Sequence, residues 1–540
     1  MTPRSRSILL GGGALALVVL VVGWIWVRGR RPPPPRRVVA TLAVDPGAPE
    51  RTEASVTQLV ERTANDLPQL DHVESRTSRD GVVVTAILSP SADPTVAELA
   101  WSRALTAARD QLPATTQPAS IEHRGARTLH FLVRSALRID TTIVGSIRPA
   151  LSAVPGVVAV ETCGVRTSEV RVTLDPARLA ALGVDAVAIA DAVRSTNTAS
   201  VDELRKQRVG GSDAAPIRLE DAAVVSSEDA PLDCHAFGAD GATSMLAVSI
   251  ADDDVVPALD AAIAKLVLPP KTSIEALDPA TATTIGAEIA LPEGTRPEEL
   301  TATALLLAKL ASAATEVQAA LLEQNGRAFD VDLIARIALK PGVTKAQGRE
   351  AVARALGSMP GVVAVTADAL PATALWVIGP DLGRLSTVAG DVTKAVTGVH
   401  GVRGAMAIGT ARTTSVTFDV DRAAGARLGI APERTAALIR LATTGTPAGT
   451  TGPLPVRVVM GERFDVADTR ALVLTSASGP IPLVELATMK SELGPAVILR
   501  RDGQRGVRID VDAQPSVRTD ELLAAARTVV LPAGYGIVGP

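Results

Sequence analysis

The stretch LDPARLAALGVDAVAIADAVRSTN, Leu174 to Asn197, returns in altered form as FDVDRAAGARLGIAPERTAALIRLATT, Phe418 to Thr444. Leu182 maps onto Leu428, close to half the 540-residue chain away. The run EVRVTLD, Glu169 to Asp175, reads as a strand, and Asp185 is placed to cap the helix that follows. A repeat this long is no solenoid period. It points to a duplicated unit.

Other matches keep the same order. VVATLAVDPGAPERTEASVTQLVERTANDL (Val38 to Leu67) corresponds to GAEIALPEGTRPEELTATALLLAKLAS (Gly286 to Ser312), each a strand, a Pro/Gly turn and a helix. Val56, Leu59, Val60, Thr63, Ala64 and Leu67 match Leu300, Thr303, Ala304, Leu307, Ala308 and Ala311, the spacing of one helical stripe. VPGV from Val154 pairs with VHGV from Val399, PIRLEDAAVV from Pro216 with PIPLVELATM from Pro480, and LVLPP before Lys271 with VVLPAGY ending at Tyr535. Residues 38–275 and 286–540 therefore read as two divergent halves joined by a linker at 276–285. Runs such as VVVTAILS after Gly81 and LHFLVRSA after Thr128 are strand-like and alternate with helices. The expected fold is α+β: tandem ferredoxin-like (split βαβ) subdomains, two per half.

The first 37 residues differ in kind. They hold seven arginines and no acid, so with a net charge of −4 overall the rest of the chain carries −11. That balance argues against nucleic acid as a partner of the main body. After a short basic N-terminus (1–7), Ile8 to Val27 is uncharged and long enough to cross ~30 Å of hydrocarbon as a helix. An uncleaved single-pass anchor is the reading, with a cleaved signal peptide as its rival. Residues 28–37, containing RPPPPRR, form a stiff spacer. Five arginines follow the apolar run and two precede it, a bias that alone would put the body in the cytoplasm.

The series VPGVVAVETCG, EVRVTLDPARLAALGV, DAVRSTN and PIRLEDAAVV resembles the periplasmic porter region of resistance–nodulation–division (RND) efflux permeases. The second half continues it, with GPIPLVELA and GPAVILRRDGQR similar to the heavy-metal and related branches. The resemblance implies an inner (plasma) membrane location with the body in the periplasm. It implies a full-length permease or a periplasmic adaptor as partner. The family places six membrane helices between its porter halves. Here the halves are joined through KTSIEALDPATATTIG, Lys271 to Gly286. A proton-driven pump needs ionisable groups among its membrane helices, and residues 8–27 carry none. The family's docking insertion is reduced near 198–215 and fuller near 443–480. The first half thus lacks the hairpin that would lock a homotrimer, so a homotrimer is in doubt.

No motif of a nucleophile elbow, zinc protease, phosphate loop or dinucleotide fold occurs, and the five histidines show no catalytic spacing. An enzyme is not expected, nor is a cofactor. The two cysteines, Cys163 and Cys234, form a disulfide or sit as separate buried thiols. With His235 they are weak candidates for a soft-metal site. The aromatic residues read as core. The function expected is a porter-like subunit of an RND-type export system. The alternatives are a non-transporting periplasmic structural or interaction protein derived from such a permease, or a degenerate remnant.

Overall fold

The computed structural model describes residues 36–540 apart from 45–46, 80, 115, 125–126, 136–140, 196, 231–233, 240, 278–282, 292–296, 326–332, 368–372, 444, 462–471, 477–478 and 515. The anchor segment 8–27 and the spacer up to residue 35 lie outside the described residues, as do residues 278–282 of the linker. Among the described residues no helix is long and apolar enough to cross a membrane.

Four quarters follow one another, each running β-α-β-β-α-β. The first holds β1 (Arg36–Ala43), α1 (49–64), β2 (Leu70–Thr77), β3 (Gly81–Leu88), α2 (Pro94–Ala107) and β4 (Ser120–Arg124). The second starts with β5 (Arg127–Ser135), α3 (Thr141–Ser152) and β6 (Val157–Cys163). An insertion then adds β7 (Ser168–Leu174), α4 (Pro176–Leu182), α5 (Ala186–Arg194), α6 (Val201–Lys206), β8 (Arg208–Gly211), β9 (Pro216–Arg218), α7 (Leu219–Ala222) and β10 (Ala223–Asp229). The quarter resumes with β11 (Cys234–Gly238), β12 (Gly241–Ile250), α8 (Val256–Ala264) and β13 (Thr272–Ala276).

The third has β14 (Thr284–Ala290), α9 (Pro297–Ala313), β15 (Val317–Asn325), β16 (Leu333–Leu339), α10 (Lys345–Leu356) and β17 (Val363–Ala367). The fourth opens with β18 (Thr373–Ile378), α11 (Leu382–Thr397) and β19 (Val402–Ile408). Its insertion holds β20 (Arg412–Val420), α12 (Arg422–Leu428), α13 (Pro432–Thr443), β21 (Thr446–Thr451), β22 (Leu454–Met460), β23 (Val473–Ser476), β24 (Gly479–Pro482) and β25 (Ala487–Pro495). It closes with β26 (Ile498–Arg501), β27 (Gln504–Ala513), α14 (Thr519–Ala526) and β28 (Gly536–Val538).

Local chemistry explains why the halves look alike. Asp175 and Asp421 each accept two backbone N–H bonds at the start of α4 and α12, and Gly183 and Gly429 end those helices at φ 64° and 70°. A side chain is strained at such φ values, so glycine is needed to stop both helices. Asp185 caps α5 by accepting from Val187 and Ala188, and its other oxygen lies 3.2 Å from Arg434 of the second half. The stripes of α1 and α9 pack on their sheets, with Val60, Ala64, Ala304, Leu307, Ala308 and Ala311 fully buried. Trp101, Trp376, Phe131 and Phe237 are core residues, as expected of the aromatics, although Trp101 lies in a helix rather than a strand.

Two nine-stranded sheets organise the body. One has the order β28-β18-β27-β26-β2-β3-β1-β4, with β19 also on β27. The other runs β13-β5-β12-β11-β15-β16-β14-β17, with β6 also on β12. Each sheet combines one quarter from each half. The join is made the same way twice: the β11–β12 hairpin of quarter two reaches β15 of quarter three, and the β26–β27 hairpin of quarter four reaches β2 of quarter one. The insertions share a four-stranded sheet, β10-β7-β22-β21, in which β22 runs parallel to β7, and one large apolar core.

Candidate functional site

Three seams hold the quarters together, and they differ in kind. At the seam of quarters one and four, β2 pairs with β26, Glu74 opposite Arg501 and Thr77 opposite Ile498. Behind this ladder α1 makes one π turn, Glu53–Thr57. Such turns mark places where a helix is re-aimed, often for function. Glu53 is buried at 1% exposure and takes bonds from Arg500 and Arg505. Arg500 Nε also donates to both oxygens of Glu61, at 2.9 and 3.1 Å, and Ser75 Oγ donates to Glu61. Burial opposes the charge on Glu53, but the two guanidinium groups overcome it and hold its carboxyl below the usual range. On the other face, Arg501 lies over the Trp376 ring, 5.9 Å from its centre, and donates to the Gly539 carbonyl at 2.7 Å.

At the seam of quarters two and three, β11 pairs with β15 from Cys234–Asn325 to Gly238–Leu321. Strands β6 and β11 run in the same direction along one edge of β12, and the insertion interrupts them. Cys163 and Cys234 stand at that break and are joined by a disulfide with Cα atoms 5.1 Å apart. The bridge closes the neck of the insertion, where Gly164 N–H also donates to the Cys234 carbonyl at 3.0 Å.

His235, the third weak candidate for a soft-metal site, does not face them. His235 follows Cys234 in a strand, so its side chain projects to the opposite face, where its ring stacks on Phe237 with centres 6.1 Å apart. Burial pushes its imidazole pKa down. The residue the sequence reading missed is Glu323, 5% exposed, whose Oε1 is 3.7 Å from Cys234 Sγ and whose Oε2 is 3.4 Å from Arg336 Nε. Burial pushes its carboxyl up against the pull of Arg336. The available signal was one acid in the otherwise uncharged run VQAALLEQN.

Quarters three and four meet differently. Among the described residues no ladder joins them. A small apolar cluster of Val365 with Trp376, Met406, Ile408, Val497 and Leu499 is flanked by buried charge. Glu288 of β14 lies 3.5 Å from Arg508, which also holds Asp510 at 2.9 Å. The Thr366 hydroxyl donates to Asp512, which sits 3.4 Å from Arg403 and 3.9 Å from Arg349. Burial pushes the Asp512 carboxyl up despite these partners. Two bodies, each stapled by a continuous sheet and joined again through the sheet their insertions share, thus meet here across an apolar cluster flanked by buried charge. The third seam, where buried charges from both bodies meet beside an apolar cluster, is the candidate functional site.

The comparisons agree with this architecture. A model of the AcrB/AcrD/AcrF family matches residues 34–201. No curated protein matches the chain by sequence. Two crystal forms of a heavy metal efflux pump share the fold. Form II has TM-score 0.83 and form I 0.80, each at 14% identity and covering 99% of this chain and 83% of the other. The chain resembles the porter region of the RND efflux permeases, whose fold it carries over nearly its whole length.

Proposed function

We propose that the chain is a porter-like subunit of an RND-type export system, held at the inner membrane by residues 8–27 with its body in the periplasm. It works beside a full permease. The observation that carries this is internal. The body has the porter fold on both sides of residues 277–283, the point at which the resemblance would place six membrane helices in a full permease. Each quarter is a ferredoxin-like split βαβ unit, supported by a 4-1-3-2 strand order in all four. Its role is binding and gating rather than catalysis, through the seam between quarters three and four. The partner is a permease or a periplasmic adaptor. A homotrimer is disfavoured because α5 and α6 are linked by residues 195–200, where the second half places the β21–β22 hairpin.

The test is co-expression with the RND permeases of the same cell, scoring copurification and substrate efflux. An unrelated membrane helix in place of residues 8–27 serves as the control. Export that rises with the native chain and falls with the swapped helix supports the subunit reading. Efflux unchanged by the chain, with no permease copurifying, leaves the non-transporting periplasmic reading.

A further inference from the structure

We propose that the Cys163–Cys234 bridge is the closed form of a redox-gated site for a thiophilic d10 divalent cation, with Glu323 as its third ligand. The donor atoms of these residues lie within 4.8 Å of one another and come from three strands, β6, β11 and β15. A tetrahedral thiolate centre has metal–sulfur bonds of ~2.3 Å and so needs ligand–ligand edges of about 3.8 Å. Side-chain rotation after the bridge opens covers that difference.

Glu323 makes little sense in the bridged form alone. Its Oε1 faces Cys234 Sγ at 3.7 Å, yet a disulfide sulfur has no hydrogen to donate. Among the described residues no N–H or O–H donates to that oxygen. Arg336 reaches only Oε2. A buried carboxylate oxygen without a donor costs free energy, and a cation or a thiol at the sulfur position removes that cost. The surroundings are apolar: Leu132, Ala236, Met245, Leu321 and Ala338 are all buried there. Such a shell excludes water and favours a site whose charges cancel. Two thiolates and one carboxylate carry −3, and a divalent cation with Arg336 brings +3. Arg336 then orients the ligating carboxylate, as outer partners of metal ligands do.

The chemistry balances. A dithiol donor supplies two electrons and two protons, the Cys163–Cys234 bond breaks to two thiols, and the donor leaves as its own disulfide. Cation binding then releases the two thiol protons. Because the bridge closes the neck of the first insertion, the cation would replace one cross-link by another.

The test uses the full chain in detergent, reduced with excess dithiol, desalted without oxygen and titrated with Cd2+ alone. Reduced wild type is expected to take one Cd2+ per chain with a thiolate-to-metal band in the ultraviolet. Oxidised wild type and the C163S/C234S double variant take none. Glu323→Gln should weaken binding at least tenfold, whereas Glu323→Asp, which keeps a carboxylate, stays within severalfold. Equal binding by Glu323→Gln would mean capture by two thiols only and would overturn the site. Zinc X-ray absorption on reduced wild type needs no variant. Two sulfurs with oxygen in the first shell support the proposal; an all-oxygen shell, or more than two sulfurs, contradicts it.

Discussion

Replacing Arg500 by Met is the most informative single perturbation of the fold. The guanidinium is 8% exposed and its partners Glu53 and Glu61 are 1% and 5% exposed, so all three groups are shielded from solvent. The substitution keeps the apolar stem and removes the charge. It leaves Glu61 with the Ser75 hydroxyl and Glu53 with Arg505. Removing one partner of a buried pair costs ~3–5 kcal/mol, because the remaining charge stays desolvated. The second cation on Glu53 sets the expectation near the lower bound, about 3 kcal/mol.

A surface pair calibrates the assay. Arg518 and Glu521 are 73% and 45% exposed, and Arg518→Met should cost less than ~1 kcal/mol. Urea unfolding followed by tryptophan fluorescence suits the question, since Trp101 and Trp376 report quarters one and four, the two joined by this network. The triple change E53Q/E61Q/R500M removes the stranded charges and should recover much of the loss. An Arg500→Met cost no larger than that of Arg518→Met would refute the claim that this network clamps the first quarter to the last.

Four further outcomes follow from the same geometry. Removing the disulfide with C163S/C234S frees a chain segment spanning 71 residues and should cost ~4 kcal/mol by loop closure; an unchanged urea midpoint would contradict that. Glu53 titrates below its ordinary 4.5 when folded, so its stabilisation is present above 4.5 and lost as pH falls through the lower folded value. Glu53→Gln should flatten acid unfolding. For His72, burial lowers the pKa but bonds to Glu74 and Asp71 overcome it and raise it above 6.5. Its stabilisation is therefore present below 6.5 and lost as pH rises through the folded value. A pH series on His72→Gln lacking that slope is expected. Asp185→Ala removes two cap bonds and the pair with Arg434 and should cost ~1–2 kcal/mol; a shift under ~0.3 kcal/mol in unfolding would deny the cap a role.

The mixed α/β layering and the duplication were legible in residues that act locally. Asp175 and Gly183 punctuate one helix as Asp421 and Gly429 punctuate its copy, and the buried stripe of α1 carries the 3.6-residue period that α9 repeats. The exchange of hairpins between halves was not legible. Pairing of β2 with β26 joins residues more than 400 positions apart, and no periodicity encodes which edge a strand will meet. The buried charges were hidden for the same reason. Arg500 sits in the polar-looking run RRDGQR, and only the fold brings Glu53 and Glu61 to it. His235 was drawn towards the cysteines by adjacency, and strand alternation sends it to the other face. Glu323 was missed because its partners come from two other strands.

The central claim, a porter body working in the periplasm, is tested most directly by topology, where the arginines flanking residues 8–27 oppose it. Two fusions after Pro540 suffice: an enzyme active only in the periplasm and a protein fluorescent only in the cytoplasm. The account predicts periplasmic activity, no fluorescence and an oxidised Cys163–Cys234 pair. Cytoplasmic fluorescence with both thiols free would contradict it.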